Sequence, residues 1–241
     1  MKKVCAIVSN YKRPENLLPI CKVLAAEPCD VIVADNSPDR SSERYDWPGV
    51  TDVWCWVRNS YPPARWYPAA AVSHEYDYVV LIDDDAMLAP GFVGRLLELS
   101  AELNDEFANI GPMGRMFTCR RGNWRYHRGE VQGKVCNTTD MAVRGYWVRA
   151  CNIVYAIQYR NMLAHRGASP EMLKQDDIML NVGIQSWTNL PSYVTGGWYS
   201  KKFADDRGYA FSGLDPNFRQ TRYDLIKLCH ELGWRSLARR G

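Results

Sequence analysis

Tyr78-Val79-Val80-Leu81-Ile82-Asp83-Asp84-Asp85 is the stretch that decides the fold. Five apolar residues without alternation suit a strand buried on both faces, which is the signature of a sheet covered by helices on each side. The run stops on three consecutive carboxylates, so a central strand ends in concentrated negative charge. Upstream, Val4-Cys5-Ala6-Ile7-Val8 is a second buried-type strand that ends at Ser9-Asn10-Tyr11-Lys12-Arg13-Pro14. From Glu15 to Ala26, Leu17, Leu18, Cys21, Leu24 and Ala25 recur at helical spacing, and Pro19 is tolerable there only near the first turn. Val31-Ile32-Val33-Ala34 forms another strand and stops at Asp35-Asn36-Ser37-Pro38, and Asp52 to Val57 gives a weaker one. Downstream, Pro90-Gly91 opens a helix with Phe92, Val93, Leu96, Leu97 and Leu99 on its apolar face.

Strands alternating with helices predict an α/β protein, and such sheets bind ligands in the crevice outside the carboxyl ends of their strands. The polar clusters after each strand would line that crevice. After Asn109 the pattern becomes irregular: glycines interrupt short strand-like runs, and Arg115, Arg120, Arg121, Arg125 and Arg128 accumulate with no acid before Glu130. A helix from Ile153 to His165 follows, then another that opens at Ser169-Pro170-Glu171 and passes through Asp176-Asp177. Gly196 to Gly213 is loop-like, and Gln220 to Leu237 reads as a basic amphipathic helix. No repeat or linker divides the chain, so the expectation is one domain over 1–241, with a nucleotide-binding half (1–108) and an acceptor-binding half (109–241).

The 241 residues carry a net charge of only +3, too little to mark a nucleic-acid binder by charge alone, so an anionic partner must meet a local patch. The apolar runs fall far short of the roughly 20 residues that span a bilayer, and no cleavable leader is evident. The eight cysteines form no CxxC pair and the four histidines stand far apart, so neither a disulfide framework nor a zinc site is expected. Reduced thiols and a cytoplasmic protein are the expectation, in a bacterial or virus-infected cell.

Three adjacent carboxylates repel one another unless a cation compensates. Mg²⁺ or Mn²⁺ suits such a site, because each takes one or two carboxylates and completes its shell with water and phosphate oxygens. The plain alternative is a solvated acidic turn that caps the next helix. At this point the chain resembles the GT-A glycosyltransferases: YVVLIDDD is similar to their DxD strand, VCAIVSNYKRPENL to their opening strand and loop, and VIVADNS to their second strand. The resemblance is greatest to the exostosin-like branch, carried by Arg65-Trp66-Tyr67-Pro68, by Asn109-Ile110-Gly111-Pro112-Met113-Gly114-Arg115, and by Lys174-Gln175-Asp176-Asp177-Ile178-Met179-Leu180-Asn181. It covers roughly residues 4–190 and is specific in combination rather than piece by piece.

That resemblance implies a Rossmann-like, mixed and mainly parallel sheet flanked by helices, a UDP-sugar donor, and Mn²⁺ or Mg²⁺. It implies metal binding by Asp85, ribose or metal binding by Asp83, and contact of Asp84 with hydroxyls of the donor sugar. Arg13 and Arg65 are candidates for the diphosphate, since a guanidinium offers a planar fork to phosphate oxygens; a salt bridge is the alternative for each. Asn10, Asp35 and Asn36 would hold the uracil and ribose edges, or merely cap loops. Asp177, with Asp176 second, would accept the acceptor's proton if the anomeric centre inverts, or steady an oxocarbenium-like species if configuration is retained. Two carboxylates at a helix start also suit the helix dipole without any catalytic role. Two departures from the family stand out: Asp176 occupies a place more often held by Glu, and no late histidine is placed to complete the metal shell, leaving Asp205, Asp206 or water.

The acceptor is less defined. Arg115, Arg121, Trp124, Arg125 and Tyr126 interleave cations with aromatic rings, which suits phosphate backbones and stacked bases. Double-stranded DNA with a hydroxymethylated pyrimidine such as 5-hydroxymethylcytosine, of the kind that some phage glycosyltransferases modify, is one reading. A cell-surface or capsid glycan is the alternative. A nucleotidyltransferase normally has a Gly-rich phosphate loop near its first strand, and Ser9 to Pro14 contains no Gly. A noncatalytic nucleic-acid-binding module leaves Asp83 to Asp85 unexplained.

Overall fold

The computed structural model describes residues 2–37, 47–120, 123–129, 137–202 and 216–236. β1 (Val4–Asn10) leads into α1 (Pro14–Leu24), β2 (Asp30–Asp35), β3 (Val50–Cys55), a 3-10 turn at Pro62–Arg65, the short α2 (Trp66–Ala71) and β4 (Tyr78–Ile82). β5 (Ala86–Leu88), α3 (Phe92–Glu102), β6 (Asn109–Gly111), β7 (Met113–Arg120) and β8 (Asn123–Gly129) follow. The remaining elements are β9 (Asn137–Thr139), β10 (Met141–Val143), β11 (Tyr146–Arg149), α4 (Ile153–His165), α5 (Asp176–Thr188), β12 (Ser192–Val194), β13 (Tyr199–Lys202) and α6 (Phe218–Glu231).

Eight strands form one sheet in the order β3-β2-β1-β4-β11-β6-β12-β9. β1, β2, β3 and β4 run parallel, whereas β11 is antiparallel to both β4 and β6. Strands from both halves of the sequence therefore share one hydrogen-bonded layer. Side chains alternate across it as the pleat requires. Cys5, Ile7, Val79 and Leu81 face one apolar cluster with Trp66, Ile153, Ile178 and Leu225, so α2, α4, α5 and α6 cover that side. Val4, Ala6, Val8, Val80 and Ile82 face the other cluster with Leu17, Leu24, Phe92 and Leu96, so α1 and α3 cover the opposite side. β4 is fully enclosed, which is why its sequence does not alternate.

Register fixes what emerges at the sheet's edge. Val8 pairs with Ile82 and Asn10 with Asp35, so the loop after β1, the end of β2 and the acidic triplet leave the sheet side by side. Several expectations are revised. Pro19 lies inside α1 rather than in its first turn, and its ring removes one helical N–H donor. The helix expected from Ser169 is a 3-10 turn at Met172–Lys174, and α5 starts afresh at Asp176, so the two carboxylates occupy the first turn of that helix, where their charge favours the dipole. The last helix ends at Glu231, short of Leu237, and the chain turns at Gly233 with φ of 105°. Among the described residues, no helix is long and apolar enough to cross a membrane.

Candidate active site

At the carboxyl ends of β1, β2 and β4 lies a cleft of about 770 Å³. Its floor is tied together by its own polar side chains. The Asn10 amide donates to Asp35 (2.9 Å) and to the Ser37 hydroxyl (3.3 Å), while its carbonyl oxygen accepts the Arg13 N–H (3.1 Å). Asn36 donates to the Asn59 side chain (2.8 Å) and accepts the Ser60 N–H (2.7 Å), which holds the loop before α2 against β2. Tyr61 in that loop has φ of 61° and ψ of −178°, a backbone region otherwise left to glycine. Lys174 lies 4.2 Å from the centroid of its ring, across the cleft.

Each member of the acidic triplet has a different environment. Asp84 is buried; one oxygen accepts the Tyr11 N–H (2.7 Å) and the other the Arg13 guanidinium (2.7 Å). Burial pushes its carboxyl up to about 6, with Arg13 and the Tyr11 N–H pulling the other way. Asp83 is about one-third exposed and accepts from Arg65 (2.6 Å). Asp85 lines the cleft and is half-buried.

Arg65 is the link between the triplet and α5. Only 3% exposed, it donates to Asp83 with one terminal nitrogen and to Asp176 (2.5 Å) with the other, above the Tyr146 ring at 4.9 Å. Burial raises the Asp176 carboxyl to about 6; Arg65 opposes the rise, and Asp177 and Asp83 add to it. Asp177 is gripped from the C-terminal helix: Arg222 donates to both of its oxygens (2.8 and 2.7 Å) and also to Gln175 (2.9 Å). Asp83, Asp84, Asp85, Asp176 and Asp177 thus converge on one cleft from opposite ends of the sequence.

Several of the expected site residues are tied to partners within the protein. Arg13 and Arg65, read as diphosphate ligands or salt-bridge partners, line the cleft and pair there with Asp84 and with Asp83 and Asp176 respectively. Asp84, also on the cleft lining, holds the loop after β1 through Tyr11 and Arg13. Asp35 lies behind Asn10 at 2% exposure and accepts the Ser37 N–H (3.0 Å), while Ala34 of β2 and Asn36, just after it, line the cleft wall. Trp124 is a core residue rather than a stacking platform: β8 packs beneath α6, and the indole sits against His230 with centroids 5.1 Å apart. Arg115 lines the cleft and Arg125 is exposed. Arg121, the Tyr126 side chain, Asp205 and Asp206 lie outside the described residues. The sequence reading missed Arg222, Tyr146 and Arg144 as cleft residues. The basic pattern of the last helix was visible, but nothing local says which of its arginines reaches Asp177.

No family model matches the chain, and no curated protein matches its sequence. Solved structures do match. S. aureus TarS (1–349) superposes with a TM-score of 0.53 at 14% identity, over 94% of this chain and 64% of that one. GalNAc-T7 with UDP, GalNAc and Mn²⁺ superposes with a TM-score of 0.57 at 8% identity, over 87% of this chain and 46% of that one. The fold is of the GT-A type. At these identities the shared property is the architecture, and the chain spans less than two thirds of either structure. The GT-A sheet has the mixed, mainly parallel order described above, with the acidic triplet at the end of its central strand.

Proposed function

We propose that this chain is a metal-dependent glycosyltransferase that moves a sugar from a UDP-sugar to a hydroxyl acceptor. The observation that carries the reading is the placement of Asp83 and Asp85 at the end of β4, in a cleft of about 770 Å³ that also holds the Asp176–Asp177 pair. UDP and Mn²⁺ are preferred because GalNAc-T7, a protein of similar fold, is described with both. Among the described residues no three Asp, Glu, His or Cys side chains form a metal-binding group. A set of one or two carboxylates nonetheless fits Mn²⁺ or Mg²⁺, whose remaining positions go to water and phosphate oxygens. Asp85 and Asp83 would hold the ion, which when bound stabilises the charge that grows on the departing diphosphate.

The chain's own groups then divide the work. Asn10 and Asn36 shape the nucleoside end of the cleft, with Asp35 buttressing Asn10. Asp177, held in one orientation by Arg222, accepts the acceptor's proton or steadies the positive sugar, and Asp176 is kept beside it by Arg65. We read the chain as one unit whose first half (1–108) serves the nucleotide and whose second half (109–241) serves the acceptor. The burial of Trp124 removes the central ring of the base-stacking reading, so the DNA reading keeps basic residues, Arg115 on the cleft and the exposed Arg125 among them, without that ring. Hydroxymethylated DNA and a cell-surface or capsid glycan therefore enter the test together.

The test is Mn²⁺-dependent release of UDP from a panel of UDP-sugars, with glycans and with duplex DNA carrying 5-hydroxymethylcytosine, 5-hydroxymethyluracil or neither. Turnover is expected to require the metal and to vanish in Asp85→Ala while the protein stays folded. No donor use with any nucleotide-sugar sinks the reading, and DNA binding that survives Asp85→Ala without turnover favours a noncatalytic binder.

A further inference from the structure

On the nucleotide-sugar reading the donor's negative charge needs a cation, and the two arginines expected to meet it are already paired with carboxylates. Among the described residues, six cationic side chains line the cleft: Arg13, Arg65, Arg115, Arg144, Lys174 and Arg222. Arg13, Arg65 and Arg222 are paired with carboxylates. Lys174 lies 3.7 Å from Glu171 and over Tyr61, and Arg115 donates to the Gly114 carbonyl (3.0 Å). Arg144 is the member of this set with no hydrogen bond or ion pair among the described residues.

An exposed arginine without a partner is ordinary; its backbone here is not. Arg144 has φ of 67°, in the left-handed region that suits Gly or Asn and costs a longer side chain energy. The turn imposes it. Gly145 has φ of 133°, and a Cβ there would come within 3.0 Å of Trp198 and 3.1 Å of the Tyr199 hydroxyl, so the pair Arg144-Gly145 is wedged beneath β13. Arg144 lines the same cleft as Asp83, Asp84 and Asp85, and the Tyr199 phenol beside Gly145 feels the charges of Asp83, Asp85, Arg65 and Arg144 together. Arg144 is therefore a strained cation on the cleft wall between Val143 and Tyr146, with no ion-pair partner among the described residues, and backbone strain of this kind concentrates at binding sites.

We propose that Arg144 is the anion-recognition residue of this cleft, taking an oxyanion of the bound donor, either a phosphate of its diphosphate or a carboxylate on its sugar. A planar fork of donors suits both groups. The proposal rests on the nucleotide-sugar reading, and the test separates the two. Titration calorimetry on the full chain, with and without MnCl₂, uses UDP, UDP-glucose, UDP-glucuronic acid and inorganic pyrophosphate. Arg144→Gln is expected to weaken binding about tenfold or more, the loss of one charge-assisted contact. Arg144→Asn is expected to weaken it equally while its melting temperature holds or rises, because Asn accepts the left-handed backbone; that rules out misfolding as the cause.

A loss shared by all the nucleotides assigns the oxyanion to the diphosphate, and one confined to UDP-glucuronic acid assigns it to a sugar carboxylate. If the wild type binds UDP and both variants bind every ligand unchanged, the proposal is overturned and the donor reading stands. If the wild type binds pyrophosphate through Arg144 but no nucleotide, the anion site stands and the donor reading falls. If it binds none of the four, both fall.

Discussion

Replacing Arg65 with Met removes a buried cation while keeping most of its apolar volume. Arg65 holds Asp83 at 2.6 Å and Asp176 at 2.5 Å. Asp83, about one-third exposed, can turn to water, but Asp176 is 8% exposed and cannot. Stranding one buried charge costs about 3–5 kcal/mol, which for a chain of this size lowers the melting temperature by roughly 10 °C. The sign of the pH dependence follows from Asp176. Its carboxyl already sits up to about 6, against an ordinary carboxylate value near 4 in the unfolded chain, with Arg65 pulling it down. A folded value above the unfolded one favours folding below the unfolded value and loses that advantage as pH rises through the folded one. Removing Arg65 raises the folded value further and widens that window. The penalty of Arg65→Met is therefore expected near its full size at pH 7.5 and smaller at pH 5, where Asp176 takes a proton and no stranded charge remains. Urea unfolding at both pH values measures it, and Arg65→Met with Asp176→Asn should recover much of the loss at pH 7.5. A penalty that is absent, or that grows toward low pH, refutes the picture of Arg65 as the buried link.

Three other outcomes are expected. Arg222→Lys keeps the charge but not the two-pronged grip on Asp177, so turnover should fall at least about tenfold while amide exchange in Phe218–Glu231 quickens; unchanged values of both would detach α6 from the site. Gly145→Ala forces a Cβ to within 3.0 Å of Trp198 at a φ of 133°, and thermal unfolding should register a loss of about 2 kcal/mol. Trp124→Ala should cost about 3–5 kcal/mol of stability through the cavity it leaves under α6. Loss of DNA affinity in Trp124→Ala at unchanged stability would restore the stacking role.

The strands were legible because burial on both faces leaves an unmistakable trace: Val4 to Val8, Val31 to Ala34 and Tyr78 to Ile82 contain no charge, and each gives way to polar residues around the cleft. The start of α3 was legible from Pro90-Gly91, and α4 runs over Ile153–His165 as its pattern suggested. The start of α5 was not, because Ser169-Pro170-Glu171 carries a helix-opening pattern that the chain uses for a single 3-10 turn. Asp83 to Asp85 and Asp176-Asp177 could be chosen as site residues from their places after a strand and before an apolar run.

What tertiary structure alone decided is which cation meets which carboxylate. Arg65 and Asp176 are far apart in sequence, as are Arg222 and Asp177, and no local spacing encodes their pairing. A guanidinium on its own suits a phosphate and a carboxylate equally well. Packing chooses between them: where a carboxylate is buried beside the cleft, as Asp84 and Asp176 are, an arginine of the cleft lining pairs with it. Trp124 obeyed the same rule from the apolar side, since an indole within reach of α6 gains more by burial than by waiting at the surface for a ligand. The sequence carries each residue's chemistry; the fold sets whether that chemistry is spent inside the protein or presented to a substrate.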